Sequence, residues 1–515
     1  MKKVKSLLAI FLALFLILPT LFACDTAAPA DGGAADTTAA DVTSADTLPA
    51  DIDPSLNGLP LSEYTIIYSE SGFDFNKRAA EYISSQIEAL VGTAPEVKLD
   101  TETEITENEI LVGITNRQES LGIDSVEDKT EGFEFLSVSK DDKVLLYGKE
   151  YMIAGAAYNL IKELSEKKVV TVPAEITVGE PVFEEAKNII YVIGDGMGFN
   201  SLELGNQLYE SGEYAKFALA SGNYPQNIIA NDLPYKGQHY THSYNKDVTD
   251  SAAGGTALAT GYKTYNGVLG LDKNLEPVKN LTELAQELGK KTAVITSDEK
   301  QGATPAAFSI HASGRYETEE ILSEYEKVTF DFVIDKLWNP AETVREVLDS
   351  FDGAENGFFI MHEEADIDAN AHKHNYKLFY TAYARLNSSL RIYFEYMMYN
   401  PDTLLILTAD HETGGVLIDE ETGKYDFTEG DHTQVNVPLY AIGAGTEFIH
   451  GKTFDNTGVA KFVAQLMGVN DFGDPELEML TDKTGLEKLT KEEKSRISAE
   501  EDAAYAAYNA KKNGK

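Results

Sequence analysis

Residues 188–198 read NIIYVIGDGMG, an apolar run from Ile189 to Ile193 that stops at Gly194-Asp195-Gly196. Runs of the same kind follow at 291–297 (KTAVITS), 357–363 (GFFIMHE), 403–411 (TLLILTADH) and 437–445 (VPLYAIGAG). Between them lie stretches with helical periodicity, such as Leu281–Leu288 and Thr343–Phe351. Continuous apolar strands alternating with helices are the pattern of a mostly parallel central sheet flanked by helices. The expectation is an α/β domain over residues 186–470. Ligands of such sheets bind beyond the carboxyl ends of the strands.

Those ends carry chemistry here. Asp195 follows YVIG, Glu363 follows FFIMH, and Asp410 with His411 follows LLILTA. One carboxylate at a strand end is commonly a turn former. Several on one edge, joined by DIDANAH at 366–372 and GDHTQ at 430–434, fit ligands better. Asp368 and His372 are four apart, which puts both on one face of a helical turn and suits a shared metal. His432 lies in a loop two residues after the small Gly430. The most specific stretch is 248–270, VTDSAAGGTALATGYKTYNGVLG. Ser251 follows Asp250 and opens a run of small, helix-compatible residues. The pair reads alone as an ordinary helix cap, and in this setting as a nucleophile at a helix N-terminus, where the dipole favours developing negative charge.

QGATPAAF at 301–308, HASGR at 311–315, HEEADIDANAH at 362–372, TADHETGG at 408–415 and DHTQVNVPL at 431–439 complete an ordered set of motifs. With them the chain resembles the alkaline phosphatases from roughly Lys187 to Gly468. The resemblance implies hydrolysis of phosphate monoesters through a phosphoserine on Ser251, at two zinc ions and one magnesium. Asp368, His372 and His432 would hold the first zinc. Asp195, Asp410 and His411 would hold the second, beside Ser251. Asp195 would bridge toward a magnesium held by Thr304 and Glu363. Nitrogen-bearing sets suit zinc and hard oxygen sets suit magnesium. Arg315, eleven residues after Thr304, would clamp phosphate with its planar fork, oriented by Asp250.

Two positions depart from the family. Gly302 and Ala369 stand where relatives carry side chains that steady the magnesium waters or contact phosphate. The departure implies a loosely held magnesium unless Glu364 or Asp366 supplies the contacts. The nearest alternative activities are those of a phosphodiesterase or sulfatase of the same superfamily. A sulfatase needs a Cys/Ser-x-Pro-x-Arg motif, and this segment reads Asp-Ser-Ala-Ala-Gly. From a different class, the alternative is a non-catalytic, glycan-binding surface protein.

Upstream, YTIIYS (64–69), EILVGIT (109–115) and KVLLYG (143–148) read as strands, and Asn76–Val91 and Tyr151–Leu164 as helices. They predict a small α/β domain over 60–180. ILVGITNR (110–117) and VLLYGKEYMIAGAAYNLIKEL (144–164) resemble the small βα domain that precedes the catalytic domain of several bacterial glycoside hydrolases. That resemblance implies a packing or spacer module without catalytic residues, with carbohydrate contact as the alternative.

Lys2, Lys3 and Lys5 precede an apolar run, Leu7–Leu18, too short to span a bilayer comfortably. Residues 1–23 therefore read as a signal peptide. Cys24, the only cysteine, follows Leu21-Phe22-Ala23, which resembles a bacterial lipobox and implies a lipid anchor on the extracellular face of the cell membrane. From there to residue 58 the chain is rich in Ala, Thr and Asp and reads as a disordered acidic tether. Residues 471–515 read as a peripheral segment ending in a charged helix. With 85 Asp plus Glu against 43 Lys plus Arg, the net charge of −42 excludes a nucleic-acid partner held through its phosphates. A phosphate monoester needs locally built positive charge, which bound metal ions supply.

Overall fold

The computed structural model describes residues 52–71, 73–117, 126–220, 223, 227–481 and 488–514. The expected leader, Cys24 and most of the acidic segment lie outside these residues. The first main sheet has six strands in the order β2-β1-β3-β5-β4-β6. They are β1 (Thr65–Tyr68), β2 (Val97–Leu99), β3 (Glu109–Val112), β4 (Phe135–Lys140), β5 (Lys143–Gly148) and β6 (Thr177–Gly179). Helices α1 (Phe75–Val91) and α2 (Met152–Lys167) pack against each other and turn buried faces to the core. β1, β3 and β5 are the strands expected from sequence, and β4 joins β5 in an antiparallel hairpin across Asp141-Asp142.

The acidic tether ends sooner than its composition suggests. Ser55–Leu56 pairs antiparallel with Leu59–Pro60 and parallel with Val169–Val170, and Leu56 is completely buried. Asn57 and Gly58 both have positive φ, the backbone of a two-residue hairpin turn for which Asn-Gly is the preferred pair. The Asn57 side chain donates to Ser139 Oγ at 2.8 Å and accepts from the Val172 amide at 2.9 Å. Residues 55–58 therefore pair with the fold.

The second main sheet has eight strands: β7 (Asn188–Gly194), β8 (Tyr235–Tyr240), β9 (Lys291–Thr296), β10 (Phe332–Ile334), β11 (Phe358–Glu364), β12 (Thr403–Thr408), β13 (Val437–Ile442) and β14 (Thr453–Asp455). Their order is β10-β9-β11-β7-β12-β13-β8-β14. β13 alone runs antiparallel to both its neighbours, so the sheet is mostly parallel as expected. Register aligns Ile193 with both Glu363 and Thr408, and Thr296 with Glu363. The carboxyl ends of β9, β11, β7 and β12 thus form one rim.

The helices around this sheet include α3 (Ser251–Thr260), α4 (Leu281–Glu287), α5 (Ala303–Ala307), α6 (Pro340–Phe351), α7 (Asp366–Ala371), α8 (Tyr376–Tyr399), α9 (Asn456–Leu466) and α10 (Lys491–Asn513). Nearly every residue of α8 from Phe379 to Met398 is buried, because this helix lies between the two sheets. Phe394 packs on Tyr151 and Phe133 at centroid distances of 5.0 and 5.2 Å. Arg391 Nε and Nη2 both donate to Glu150, at 2.6 and 3.0 Å. Glu395 accepts from Arg78 at 2.8 Å and Arg345 at 2.7 Å. On the sheet side, Tyr393 Oη meets His362 of β11 at 2.7 Å. Beyond β14, the Asp474 and Thr481 amides bond Gly261 and Thr453. α10 buries Ile497 in a cluster with Tyr265, Val268, Leu271 and Leu275.

Candidate metal centre

The candidate ligands stand at the rim of the second sheet, on α3, α5 and α7, and on the loop that carries His432. Asp250 caps α3: its Oδ1 accepts from the Ala253 and Gly267 amides at 3.0 and 3.1 Å. Ser251 is thereby the first residue of the helix. Its Oγ lies 3.2 Å from His411 Nε2, and that nitrogen is 3.4 Å from Asp195 Oδ1 and 3.3 Å from Asp410 Oδ2. Asp195 follows β7 and Asp410-His411 follow β12, so neighbouring strands deliver this group. Backbone amides of Gly196 and His411 donate to Asp410 Oδ1 and hold the carboxylate in place.

A second group sits beside it. Asp368 Oδ1 is 3.3 Å from His372 Nε2 and 3.6 Å from His432 Nε2, which are 3.2 Å from each other. α7 brings Asp368 and His372 onto one face, as the i, i+4 spacing predicts. A short antiparallel bridge, Thr413 to His432, brings in the third member. The His411 and His432 rings stack at 3.6 Å and join the two groups.

The remaining nitrogens are committed elsewhere. His372 Nδ1 bonds the Gly430 carbonyl and His432 Nδ1 the Thr249 carbonyl, each at 2.9 Å. A ring that donates from Nδ1 keeps its Nε2 lone pair for a metal. For His411 the partner is Thr413 Oγ1 at 3.2 Å, and that hydroxyl in turn donates to Asp368. Sequence reading did not single out Thr413, although its place two residues after His411 is the available signal. Nor did it single out Asp431, an exposed carboxylate grouped with His372 and His432.

Glu363, near the end of β11, accepts a hydrogen bond from Thr296 of β9, and the Thr304 side chain lies beside it. Arg315 Nη1 is 3.0 Å from Asp250 Oδ2, so Asp250 orients the guanidinium. The position of Arg315 is set by its own amide, which bonds the Gly267 carbonyl at 2.7 Å. Burial opposes the Arg315 charge and Asp250 more than offsets it, leaving the pKa raised. Glu364 and Asp366, the two groups expected to serve near Gly302 and Ala369, are both engaged by Arg385.

The electrostatics of the cluster call for cations. Burial, then the charges of Asp410, Asp368 and Glu363, push the Asp195 carboxyl well above the carboxylate range. Burial raises Asp410 as well and lifts Glu363 to about 8. Burial and the neighbouring His432 hold the His411 imidazole far below its usual pKa, hence neutral. Asp195 Oδ1, Asp410 Oδ2 and Thr304 Oγ1 are buried without a hydrogen-bond partner. Buried polar atoms are otherwise paired, and buried charges need a counter-charge. Orphaned oxygens beside correctly oriented imidazoles fit divalent metal ions.

The alkaline phosphatase family profile matches residues 186–339 and 322–425. Alkaline phosphatase 4 of Bacillus subtilis is 28% identical over 298 residues, 45% of this chain and 63% of that protein. Alkaline phosphatase H of Pseudomonas aeruginosa is 41% identical over 138 residues, 26% of this chain and 27% of that protein. The chain thus spans less than two thirds of the length of either relative. Among solved structures, the alkaline phosphatase of the Antarctic bacterium TAB5 overlaps 56% of this chain and 100% of that one, at 22% identity and a TM-score of 0.48.

Proposed function

The chain belongs to the alkaline phosphatase family through residues 186–425, and from that premise we propose that it hydrolyses phosphate monoesters with Ser251 as the nucleophile. One observation carries the reading. The Ser251 hydroxyl, at a helix N-terminus, lies 3.2 Å from an imidazole set between two buried carboxylates with unpaired oxygens. Asp195, Asp410 and His411 would hold one zinc, and Asp368, His372 and His432 the other. Thr304, Glu363 and Asp195 would hold magnesium. When bound, such ions supply Lewis acidity that lowers the pKa of a hydroxyl and neutralises phosphoryl oxygens.

The protein's own groups then divide the work. Arg315, held from behind by Asp250, grips two phosphoryl oxygens and aligns phosphorus with Ser251 Oγ. Serine oxygen bonds to phosphorus as the ester oxygen leaves, and the proton lost by the serine is balanced by the one gained by the leaving alcohol. Charge developing on Oγ faces the amino end of α3. Water next displaces the serine from phosphorus, so inorganic phosphate departs and Ser251 regains its proton. The same reading extends to a lipid anchor at Cys24 and an extracellular site of action, with residues 60–180 as a packing module.

Purified protein assayed against monoesters, diesters and sulfate esters, with metal analysis, tests the proposal. Monoester turnover that disappears on chelation and returns with zinc plus magnesium is expected. Equal or faster turnover of diesters or sulfate esters would replace it.

A further inference from the structure

The proposed third metal position, at Thr304 and Glu363, has one further carboxylate at its edge, from a residue outside the motifs quoted above. Gly302 is the N-cap of α5, and a Cβ there would lie 2.5 Å from Asp298 Oδ2. Real Cβ atoms do not approach an oxygen so closely. A side chain at 302 would therefore have to push the Asp298 carboxylate aside from the place it occupies. That carboxylate arrives from the turn after β9, where the Asp298 amide donates to Thr296 Oγ1 at 2.9 Å and the same hydroxyl donates to Glu363. No hydrogen bond or salt bridge ties the Asp298 carboxylate to another side chain among the described residues. It is exposed, yet close enough to Glu363 for its charge to act there.

An exposed carboxylate beside a buried one is not itself a ligand site. The independent observation is Thr304. Its hydroxyl is completely buried, faces Glu363 and makes no hydrogen bond of normal geometry among the described residues. Two oxygens, one buried and orphaned and one wet and free, flank the same carboxylate from either end of the 298–304 turn. Magnesium keeps several of its waters when it binds, so a solvated carboxylate at this distance suits it through water. Groups that hold the waters of a bound metal matter about 10–100-fold in its affinity.

We infer that Asp298 is the carboxylate that steadies the hydrated magnesium at Thr304 and Glu363, and that Gly302 is small in order to admit it. The inference rests on the proposed third metal position. It reverses the expectation from sequence, in which Gly302 marks a missing group. Zinc-loaded protein, stripped of magnesium and titrated with Mg²⁺ by calorimetry, is the test, with zinc content measured in parallel. Asp298→Asn should lower magnesium affinity about 10–100-fold while both zinc ions stay bound. Gly302→Ala and Gly302→Asp should weaken it as well, because either side chain displaces the Asp298 carboxylate. Unchanged magnesium affinity in Asp298→Asn, or tighter binding in Gly302→Asp, would overturn the inference. Wild-type protein that takes zinc and no magnesium would remove the third position itself, and the inference with it.

Discussion

Thr413 stands between His411 and Asp368, one member of each candidate metal group. Its hydroxyl accepts from one side and donates to the other, so it fixes the tautomer of His411 and the orientation of Asp368 together. Thr413→Val keeps the shape and removes both bonds. Zinc affinity, measured by competition with a chromogenic chelator, should fall about 10–100-fold. Arg315 is a second single-residue case. A lysine there keeps the charge and loses the fork that engages two oxygens together while leaning on Asp250. A charge-assisted hydrogen bond contributes about 1.5–3 kcal/mol, so kcat/KM of Arg315→Lys should drop about 10–100-fold, and inhibition by inorganic phosphate should weaken in parallel. The candidate ligands were readable as a group because they lie in short linear motifs, several of them at strand ends. Thr413, Asp298 and Asp431 were not, because their roles depend on where a turn or a two-residue bridge points a side chain.

At the scale of elements, α8 decides how the two sheets behave. Its sequence, YKLFYTAYARLNSSLRIYFEYMMY, has polar residues on every face, yet nearly all of it is buried. Arg385, Arg391 and Glu395 are each paired with an opposite charge, from Glu364 and Asp366, from Glu150, and from Arg78 with Arg345. These partners lie far away along the chain, and a periodicity argument cannot find them. The same holds for β8 and β14, which are short or polar and take their strand conformation from β13 and from each other. β7, β9, β11 and β12 were legible because buried parallel strands are continuously apolar. Phe394→Ala should cost about 3–5 kcal/mol, since the ring is completely buried against Tyr151 and Phe133. Both sheets should melt in one transition in wild type and mutant, monitored by fluorescence and circular dichroism together. Two separate transitions would mean that α8 does not couple them.

The whole molecule carries a large negative charge and concentrates buried carboxylates at one rim, so its stability without metal depends on pH in a defined direction. Glu363 is lifted from 4.5 to about 8 by burial, and burial with the neighbouring carboxylates raises Asp195 as well. A carboxyl with a raised folded-state pKa binds its proton more tightly when folded. Its stabilising contribution is complete below about 4.5 and is lost as pH rises through about 8. Chelated protein should therefore lose melting temperature across that window. Zinc and magnesium, which bind the ionised forms, should reverse the slope. Calorimetric melting at several pH values, with and without metal, checks both. The central claim, that Ser251 carries the phosphoryl group, is tested most directly by quenching turnover of an aryl phosphate in acid and mapping phosphorylated peptides by mass spectrometry. Phosphate on Ser251 in the wild type, with Ser251→Ala unlabelled, still holding metal and slower by several orders of magnitude, is the predicted result. Near-normal turnover in Ser251→Ala, or phosphate trapped on another residue, would contradict it.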